Sequence, residues 1–121
     1  MAEDTMSLCD IGKRYYRALD THAYDDLNAL LSPDFTQYRP DRTFDNKASF
    51  IEFMRTGRPE KETKHDIEEW YLSLNTEDTQ PQNISARGTL SSHTGDPLFA
   101  FVDIMAIDEA DRIENLWTYT Q

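Results

Sequence analysis

Residues 98–107, LFAFVDIMAI, form a ten-residue apolar run with a single carboxylate, Asp103. With the two-residue period of a β-strand, Asp103 shares a face with Phe99, Phe101, Met105 and Ile107. The other face is also apolar, so such a strand must be covered on both sides. Two interpretations of the acid remain open at this point. Its carboxyl end reaches solvent, or it lines a pocket whose surroundings raise its pKa.

Apolar residues at helical spacing predict three helices before the strands. A capping box at Ser7 and Asp10, and a Pro after the second helix, indicate two of their ends. The predicted helices span about residues 8–20, residues 25–31 up to Ser32-Pro33, and a segment that is capped by Asp45 or Asn46 and ends at Gly57.

The second half of the chain is typical of strands joined by short turns. A short strand is expected earlier, at residues 35–39, and longer ones at residues 65–74, 84–90, 98–107 and 113–119. Charged or turn-forming segments separate them at residues 57–64, 75–83, 91–97 and 108–111. The order predicts an α+β domain over residues 1–121, in which three N-terminal helices pack in a strongly curved antiparallel sheet with a cavity between them.

The outer face of the predicted sheet carries Leu98, Val102 and Ile104. An uncovered apolar strip of this kind is normally buried against another chain, so the sequence predicts a homodimer through the outer sheet face.

The net charge is −11, from 23 acidic and 12 basic residues, which disfavours nucleic acid and anionic membranes as partners. Asp outnumbers Glu and Lys is scarce, so the surface fits either a halophilic protein or an ordinary acidic cytosolic one. Cys9 is the sole cysteine, which rules out an intrachain disulfide. With no signal-peptide pattern and no apolar run of spanning length, we expect a cytoplasmic protein.

Two segments, RYYRALDTHAYDDLNALLSPDF and FAFVDIMAIDEADRIENLWTYT, resemble the nuclear transport factor 2-like superfamily in its SnoaL-like and ketosteroid-isomerase-like branch. The turn at residues 109–113 departs from the family pattern because it lacks a Gly. The resemblance implies a cone-shaped α+β barrel. It implies no single activity, since the superfamily includes isomerases, cyclases, dehydratases, epoxide hydrolases, transport adaptors and inert ligand binders.

The resemblance also implies roles for particular residues. Ketosteroid isomerases hold a developing oxyanion with a tyrosine on the first helix and a protonated aspartic acid on a late strand. Tyr15 and Asp103 match those two positions. The position of the catalytic base aligns with Arg39, which cannot abstract a proton because its guanidinium stays charged. Steroid isomerisation by that mechanism is therefore disfavoured, although the oxyanion-binding half is retained.

The remaining candidates follow from residue chemistry. A charged Asp103 in an apolar cavity needs a partner, and Arg39 and His65 are the candidates for this pair. His65 can exchange protons with Asp103, or it is a surface histidine at a loop end. Tyr15 and Tyr38 can polarise a carbonyl, and Arg39 can bind an anion such as a carboxylate. Ligand contacts are expected among Tyr38, Phe50, Phe53, Met54, Trp70, Phe101, Trp117 and Tyr119, some of which serve only as core.

No cofactor or metal is indicated. His22, His65 and His93 lack metal-site spacing with Cys9, and nucleotide-binding and nucleophile motifs are missing. The sequence therefore predicts a protein that binds a small hydrophobic or carbonyl-bearing molecule in a central cavity. It is either a catalyst of isomerase, cyclase or dehydratase type or a non-catalytic ligand binder. The remaining alternative is a protein-interaction module with a packed interior.

Overall fold

A computed structural model describes residues 2–58, 62–73 and 82–121, with the side chains of residues 8–58, 62–73 and 83–121. The helices are α1 (Ala2–Asp20), α2 (Tyr24–Leu30) and α3 (Lys47–Glu52), which continues as a π-helical turn (Phe53–Gly57). The strands are β1 (Leu31–Tyr38), β2 (Thr43–Phe44), β3 (Thr63–Leu72), β4 (Gln82–Ser92), β5 (Pro97–Ile107) and β6 (Ile113–Thr120). The predicted α+β fold of three helices packed on a curved sheet is confirmed.

The six strands form one open, curved sheet in the order β2-β1-β6-β5-β4-β3. Neighbouring strands are antiparallel except β1 and β6, which run parallel. The sheet is therefore mixed, and the prediction of a wholly antiparallel sheet is wrong. The reason is connectivity: β1 and β6 are joined by a long crossover that includes α3 and four strands, and such a connection permits parallel pairing. The short strand β2 was not predicted.

The helix boundaries follow local capping chemistry. The Asn46 side chain accepts a hydrogen bond of 2.8 Å from the backbone N–H of Ser49, which confirms it as the cap of α3. The helical turn after α3 ends at Gly57, as expected. The predicted start of α1 is wrong, because the helix begins at Ala2 and Ser7 lies inside it.

Turns and bulges explain most of the remaining differences. The β4–β5 hairpin contains Gly95 at φ 93°, a conformation that favours glycine. In β5 the register shifts, so that Leu90 faces Phe99 and Ser91 faces Pro97. The extra residue, Leu98, lines the cavity with Phe99, so its predicted place on the outer face is wrong. The predicted loop around Pro81 lies mainly outside the described residues.

The core lies between the helices and the inner face of the sheet. The predicted stripe of α1 is buried, and the deepest side chains come from α2 and α3 on one side and from the strands β1, β4, β5 and β6 on the other. Phe35, Phe50, Leu27, Leu31, Ile84, Met105, Ile107, Ile113 and Leu116 are the largest of these. None of the helices in the described part of the chain is long and apolar enough to cross a lipid bilayer.

Candidate functional site

A cavity of about 380 Å³ lies between α1, the α3 turn and the inner face of the sheet. Asp103, Tyr15 and Gln37 line it and are at most 5% exposed, so they form its floor. Leu98 and Phe99 also line it and are about half-exposed, so they lie at its opening. The other lining residues are Leu19, Arg39, Phe53, Met54, Arg58, His65, Leu90, Phe101, Thr118 and Thr120. This cavity contradicts the alternative of a packed interior.

Two hydroxyl groups hold the Asp103 carboxyl group. The Tyr16 hydroxyl donates to Oδ2 at 2.7 Å, and the Thr118 hydroxyl donates to Oδ1 at 2.6 Å. Thr118 faces Asp103 directly across the β5–β6 ladder, and Tyr16 reaches it from α1. The expected partners were wrong, because neither Arg39 nor His65 forms a hydrogen bond or ion pair with Asp103.

Burial raises the pKa of Asp103 above its ordinary value, because the apolar surroundings disfavour the charged form. The hydrogen bonds from Thr118 and Tyr16, and the nearby charges of His65 and Arg39, act in the opposite direction and do not cancel the effect of burial. Asp103 therefore binds its proton more tightly than an exposed aspartic acid does. Of the two initial interpretations, the structure supports the buried acid at a cavity.

The hydrogen-bond chain continues from Asp103 to Gln37. The Gln37 side-chain amide donates from Nε2 to the Thr118 hydroxyl at 2.9 Å. Its Oε1 is buried and has no hydrogen-bond partner among the described residues. Thr118 gives its single hydroxyl proton to Asp103, so it accepts from Gln37, and this fixes the orientation of the amide. The amide thereby leaves a buried carbonyl oxygen without a partner among the described residues.

His65 is paired with Asp20. Its Nδ1 lies 2.7 Å from Asp20 Oδ1, and its backbone N–H donates to Asp20 Oδ2 at 3.0 Å. The His65 side chain is 13% exposed, and it packs against Tyr16 and Phe101 with ring centroids 5.1 and 5.6 Å apart. A carboxylate oxygen can only accept a hydrogen bond, so Nδ1 of His65 is the donor in this contact, and in the neutral ring that tautomer leaves a lone pair on Nε2. The contact with Asp20 thus orients the His65 ring at the cavity wall.

Tyr15 faces the same cavity with an unpartnered hydroxyl. It is 2% exposed, and no hydrogen bond joins its hydroxyl to any of the described residues. Burial raises the pKa of Tyr15 well above its ordinary value, and the nearby Asp103 adds to this, while Arg39 and Arg58 act in the opposite direction. The hydroxyl therefore stays protonated and is free to donate to a ligand oxygen.

The structure brings seven of the predicted site residues to this cavity: Asp103, His65, Tyr15, Arg39, Phe53, Met54 and Phe101. Five others are placed elsewhere. Phe50 is fully buried core, and Trp70 packs against Gly12 and Tyr16 between α1 and β3. Tyr38 stacks on Trp117 at 5.7 Å, and Tyr119 is 55% exposed.

The last three residues were misplaced because side chains alternate along a strand. Gln37 and Arg39 line the cavity, so Tyr38 between them faces outward. Thr118 and Thr120 likewise line it, which turns Trp117 and Tyr119 to the outer face. Tyr38 is therefore removed from the set of residues that can polarise a bound carbonyl.

Five residues that contribute to the site were missed: Tyr16, Asp20, Gln37, Arg58 and Thr118. Tyr16 and Asp20 lie on α1 one turn apart, and their helical spacing was a usable signal. Thr118 could have been found from the alternation of β6. Arg58 follows the helical turn, in a segment without a helical or strand period, so the sequence did not indicate where its side chain points. Among the described residues, no group of three or more His, Cys, Asp or Glu side chains could hold a metal ion.

Residues 13–116 match the family model of the SnoaL-like domain. The chain belongs to the SnoaL-like family. This confirms the resemblance to the nuclear transport factor 2-like superfamily, and the match includes every residue of the site except Thr118 and Thr120 at its end. No curated protein matches the sequence.

Several solved structures share the SnoaL-like fold of this chain. A protein of unknown function with a cystatin-like fold from Nostoc punctiforme has a TM-score of 0.85 at 9% identity, covering 100% of this chain and 93% of that one. A proposed ketosteroid isomerase from Kribbella flavida has a TM-score of 0.76 at 14% identity, covering 96% and 78%. A proposed polyketide cyclase from Sinorhizobium meliloti has a TM-score of 0.73 at 15% identity, covering 90% and 93%. At these identities the likeness shows the fold alone.

Proposed function

We propose that this SnoaL-like protein binds a small carbonyl-bearing molecule in its cavity and catalyses proton transfer on it without a cofactor. The observation that carries the proposal is the placement of an Asp20-held His65 and an unpartnered Tyr15 hydroxyl on one cavity. A base and an oxyanion donor are the two groups that enolisation requires. Similar structures described as a proposed isomerase and a proposed cyclase are consistent with this chemistry.

The geometry suggests the order of events. The ligand carbonyl oxygen accepts a hydrogen bond from Tyr15, and His65 Nε2 removes a proton from the adjacent carbon. The electron pair of the broken C–H bond forms a C=C bond, and the carbonyl π pair moves to the oxygen, where the Tyr15 hydrogen bond stabilises the enolate. Asp20 stabilises the imidazolium that forms. Asp103 lies at the same floor, and in its protonated form it would add a second donor to the enolate oxygen.

The reaction ends when His65 returns the proton. In a substrate with a C=C bond beside the deprotonated carbon the enolate is a dienolate, and delivery to its far carbon gives an isomerised product. Delivery to a hydroxyl group on the carbon beyond the deprotonated one expels water and gives a dehydrated product. Both outcomes conserve the proton and need no external reagent, so the proposed reaction class is isomerase or dehydratase.

Hydrogen–deuterium exchange of cyclohexanone in D2O, followed by proton NMR, tests the proposal without knowledge of the natural substrate. We expect exchange at the carbons next to the carbonyl to exceed the buffer rate and to fall about 100-fold or more in His65→Gln. His93→Gln, in the exposed β4–β5 turn, is the matched control and should keep the native rate. Exchange at the buffer rate, together with cyclohexanone-induced shifts of the Met54 methyl signal, would show that the protein binds the ligand without catalysing proton transfer.

Four further proposals concern context. The whole of residues 1–121 acts as one domain, and the protein is cytoplasmic and adapted to salt, as its acidic composition suggests. It forms a homodimer through the outer sheet face, for which the support is an apolar patch formed by the exposed Tyr38 and Tyr119 and the half-buried Val102, Ile104 and Trp117. An aromatic patch of this kind is typical of an interface core.

A further inference from the structure

We propose that the ligand of this cavity carries a carboxylate, which Arg58 binds together with Arg39 near the cavity opening. This inference rests on the proposed ligand-binding function and names the class of ligand: a small keto acid with an apolar body. It assigns Arg58, which the sequence did not single out, as a binding residue.

Within the described part of the chain, Arg58 is anchored by neutral oxygens and has no acidic partner. Its Nε donates to the backbone oxygen of Met54 at 2.9 Å. Its Nη1 and Nη2 lie 3.5 Å from the Thr63 hydroxyl and the Leu19 backbone oxygen. Among the described residues, no carboxylate lies within 4 Å of this guanidinium. A charged group held at a cavity without a counter-ion is completed by an anionic ligand.

Arg39 supplies a second guanidinium on the same cavity. It lies 5.3 Å above the Phe53 ring, and its Nε donates to Asp41 at 3.0 Å. Asp41 is exposed and shared with Arg42, so it neutralises Arg39 only weakly. The Nη groups of Arg39 have no hydrogen bond to any described residue and are free to bind a ligand.

The charges along the cavity orient such a ligand. Asp103 is the sole carboxyl group among the described lining residues, and it lies at the floor. Arg39 is 25% exposed on its side chain and lies nearer the opening. A ligand carboxylate is therefore favoured toward the opening, beside the two arginines, and disfavoured beside Asp103. This leaves the carbonyl group to face Tyr15.

The walls and the size of the cavity define the rest of the ligand. Leu19, Met54, Leu90, Leu98, Phe99 and Phe101 contribute an apolar lining. A volume of about 380 Å³ is near the lower end of the range for small-molecule pockets. The ligand body is thus apolar and about as large as one or two rings. A chain of net charge −11 repels anions at long range, so affinity for a carboxylate has to come from these local arginines.

The test compares 4-oxocyclohexanecarboxylate with its methyl ester by NMR titration of the native protein and its variants. We expect the acid to bind about tenfold tighter than the ester, because a charge-assisted hydrogen bond contributes a binding free energy of about this size. Arg58→Gln should remove this preference and leave the affinity for the ester unchanged. Arg87→Gln is the matched control, because Arg87 pairs with Glu68 and Glu69 away from the cavity.

Each outcome decides between the two proposals. Equal affinity of the native protein for acid and ester, or an acid preference that survives in Arg58→Gln, would overturn the carboxylate inference and leave the carbonyl-binding cavity standing. Failure of both compounds to bind would overturn the proposed function itself. Arg58→Lys, which keeps the charge, should retain part of the preference, and the unchanged ester affinity shows that each variant cavity is intact.

Discussion

The Tyr16 hydroxyl donates a 2.7 Å hydrogen bond to Asp103 Oδ2, whereas the hydroxyl of its neighbour Tyr15 lies at the same cavity without a partner among the described residues. The two rings touch edge to face, with centroids 5.1 Å apart. Consecutive helix residues point about 100° apart. One tyrosine therefore reaches the acid from α1, and the other is left to face a ligand.

The different environments of the two hydroxyl groups predict that Tyr16→Phe mainly affects stability, whereas Tyr15→Phe mainly affects proton exchange. Tyr16→Phe removes a bond to a buried carboxyl group and should lower the free energy of unfolding by about 1–3 kcal/mol. It should also raise the pKa of Asp103 further, because the Tyr16 hydrogen bond lowers that pKa. Tyr15→Phe should change stability little and reduce cyclohexanone exchange. Urea denaturation and exchange rates measure both effects, and equal losses of stability would contradict the assignment.

Asp103 should make stability depend on pH in a defined direction. Its folded-state pKa is raised by burial, so the folded protein binds the proton more tightly than the unfolded chain. The stability contribution is fully present below the unfolded-state pKa of about 3.9 and is lost as pH rises through the raised folded-state pKa. Carboxyl-carbon NMR titration gives the pKa directly, and urea denaturation across this window gives the stability.

Asp103→Asn is the control for this titration, because it removes the titrating group and keeps a similar shape. The variant should lose the NMR signal assigned to Asp103 and the corresponding part of the pH dependence. A folded-state pKa at or below the model-peptide value of about 4 would show an exposed or ion-paired carboxylate. That result would remove Asp103 from the proposed proton chemistry.

Local periodicity was enough to place Asp103 but not to find its partners. From Phe101 to Ile107 the strand is regular, so alternation correctly turned Asp103 inward. The pair of Tyr38 and Arg39 shows the limit, since adjacent residues of an extended segment without a bulge point to opposite faces, and only Arg39 lines the cavity. The partners of Asp103 and His65 lie 15, 87 and 45 residues away in sequence. Such contacts are set by the docking of α1 on the curved sheet, and no spacing within one element encodes them.

Asp20 is expected to act as a positioning residue for His65. Asp20→Asn should weaken its bond to Nδ1, so that the neutral ring populates the tautomer with the proton on Nε2 and loses its base. Nitrogen-15 NMR of His65 should show this change, and cyclohexanone exchange should fall about 100-fold or more. Binding of cyclohexanone should be unaffected. Asp66→Asn, on β3 beside Lys64 and Ser91, serves as the control and should alter neither readout.

Gly12 allows α1 to approach β3 closely. A Cβ atom at this position would overlap the Trp70 ring, so one of the two elements has to shift. Gly12→Ala should lower the free energy of unfolding by about 1–3 kcal/mol, as overpacking does. Trp70→Leu removes the ring. The double variant should therefore lose less free energy of unfolding than the two single variants lose together. Additive losses in urea denaturation would show that the ring adapts at no cost.

The aromatic patch on the outer face predicts a homodimer whose affinity increases with salt. Tyr38 and Trp117 are stacked there, beside Ile104, which pairs in register with Trp117. Burial of this patch favours association, whereas each chain carries a charge of −11 and repels its copy. Salt weakens only the repulsion, because the Debye length falls from about 10 Å at 0.1 M to about 3 Å at 1 M.

Analytical ultracentrifugation should therefore show tighter dimers in 1 M NaCl, and Ile104→Glu should abolish them while His93→Glu does not. A native chain that stays monomeric at both salt concentrations would contradict the predicted homodimer.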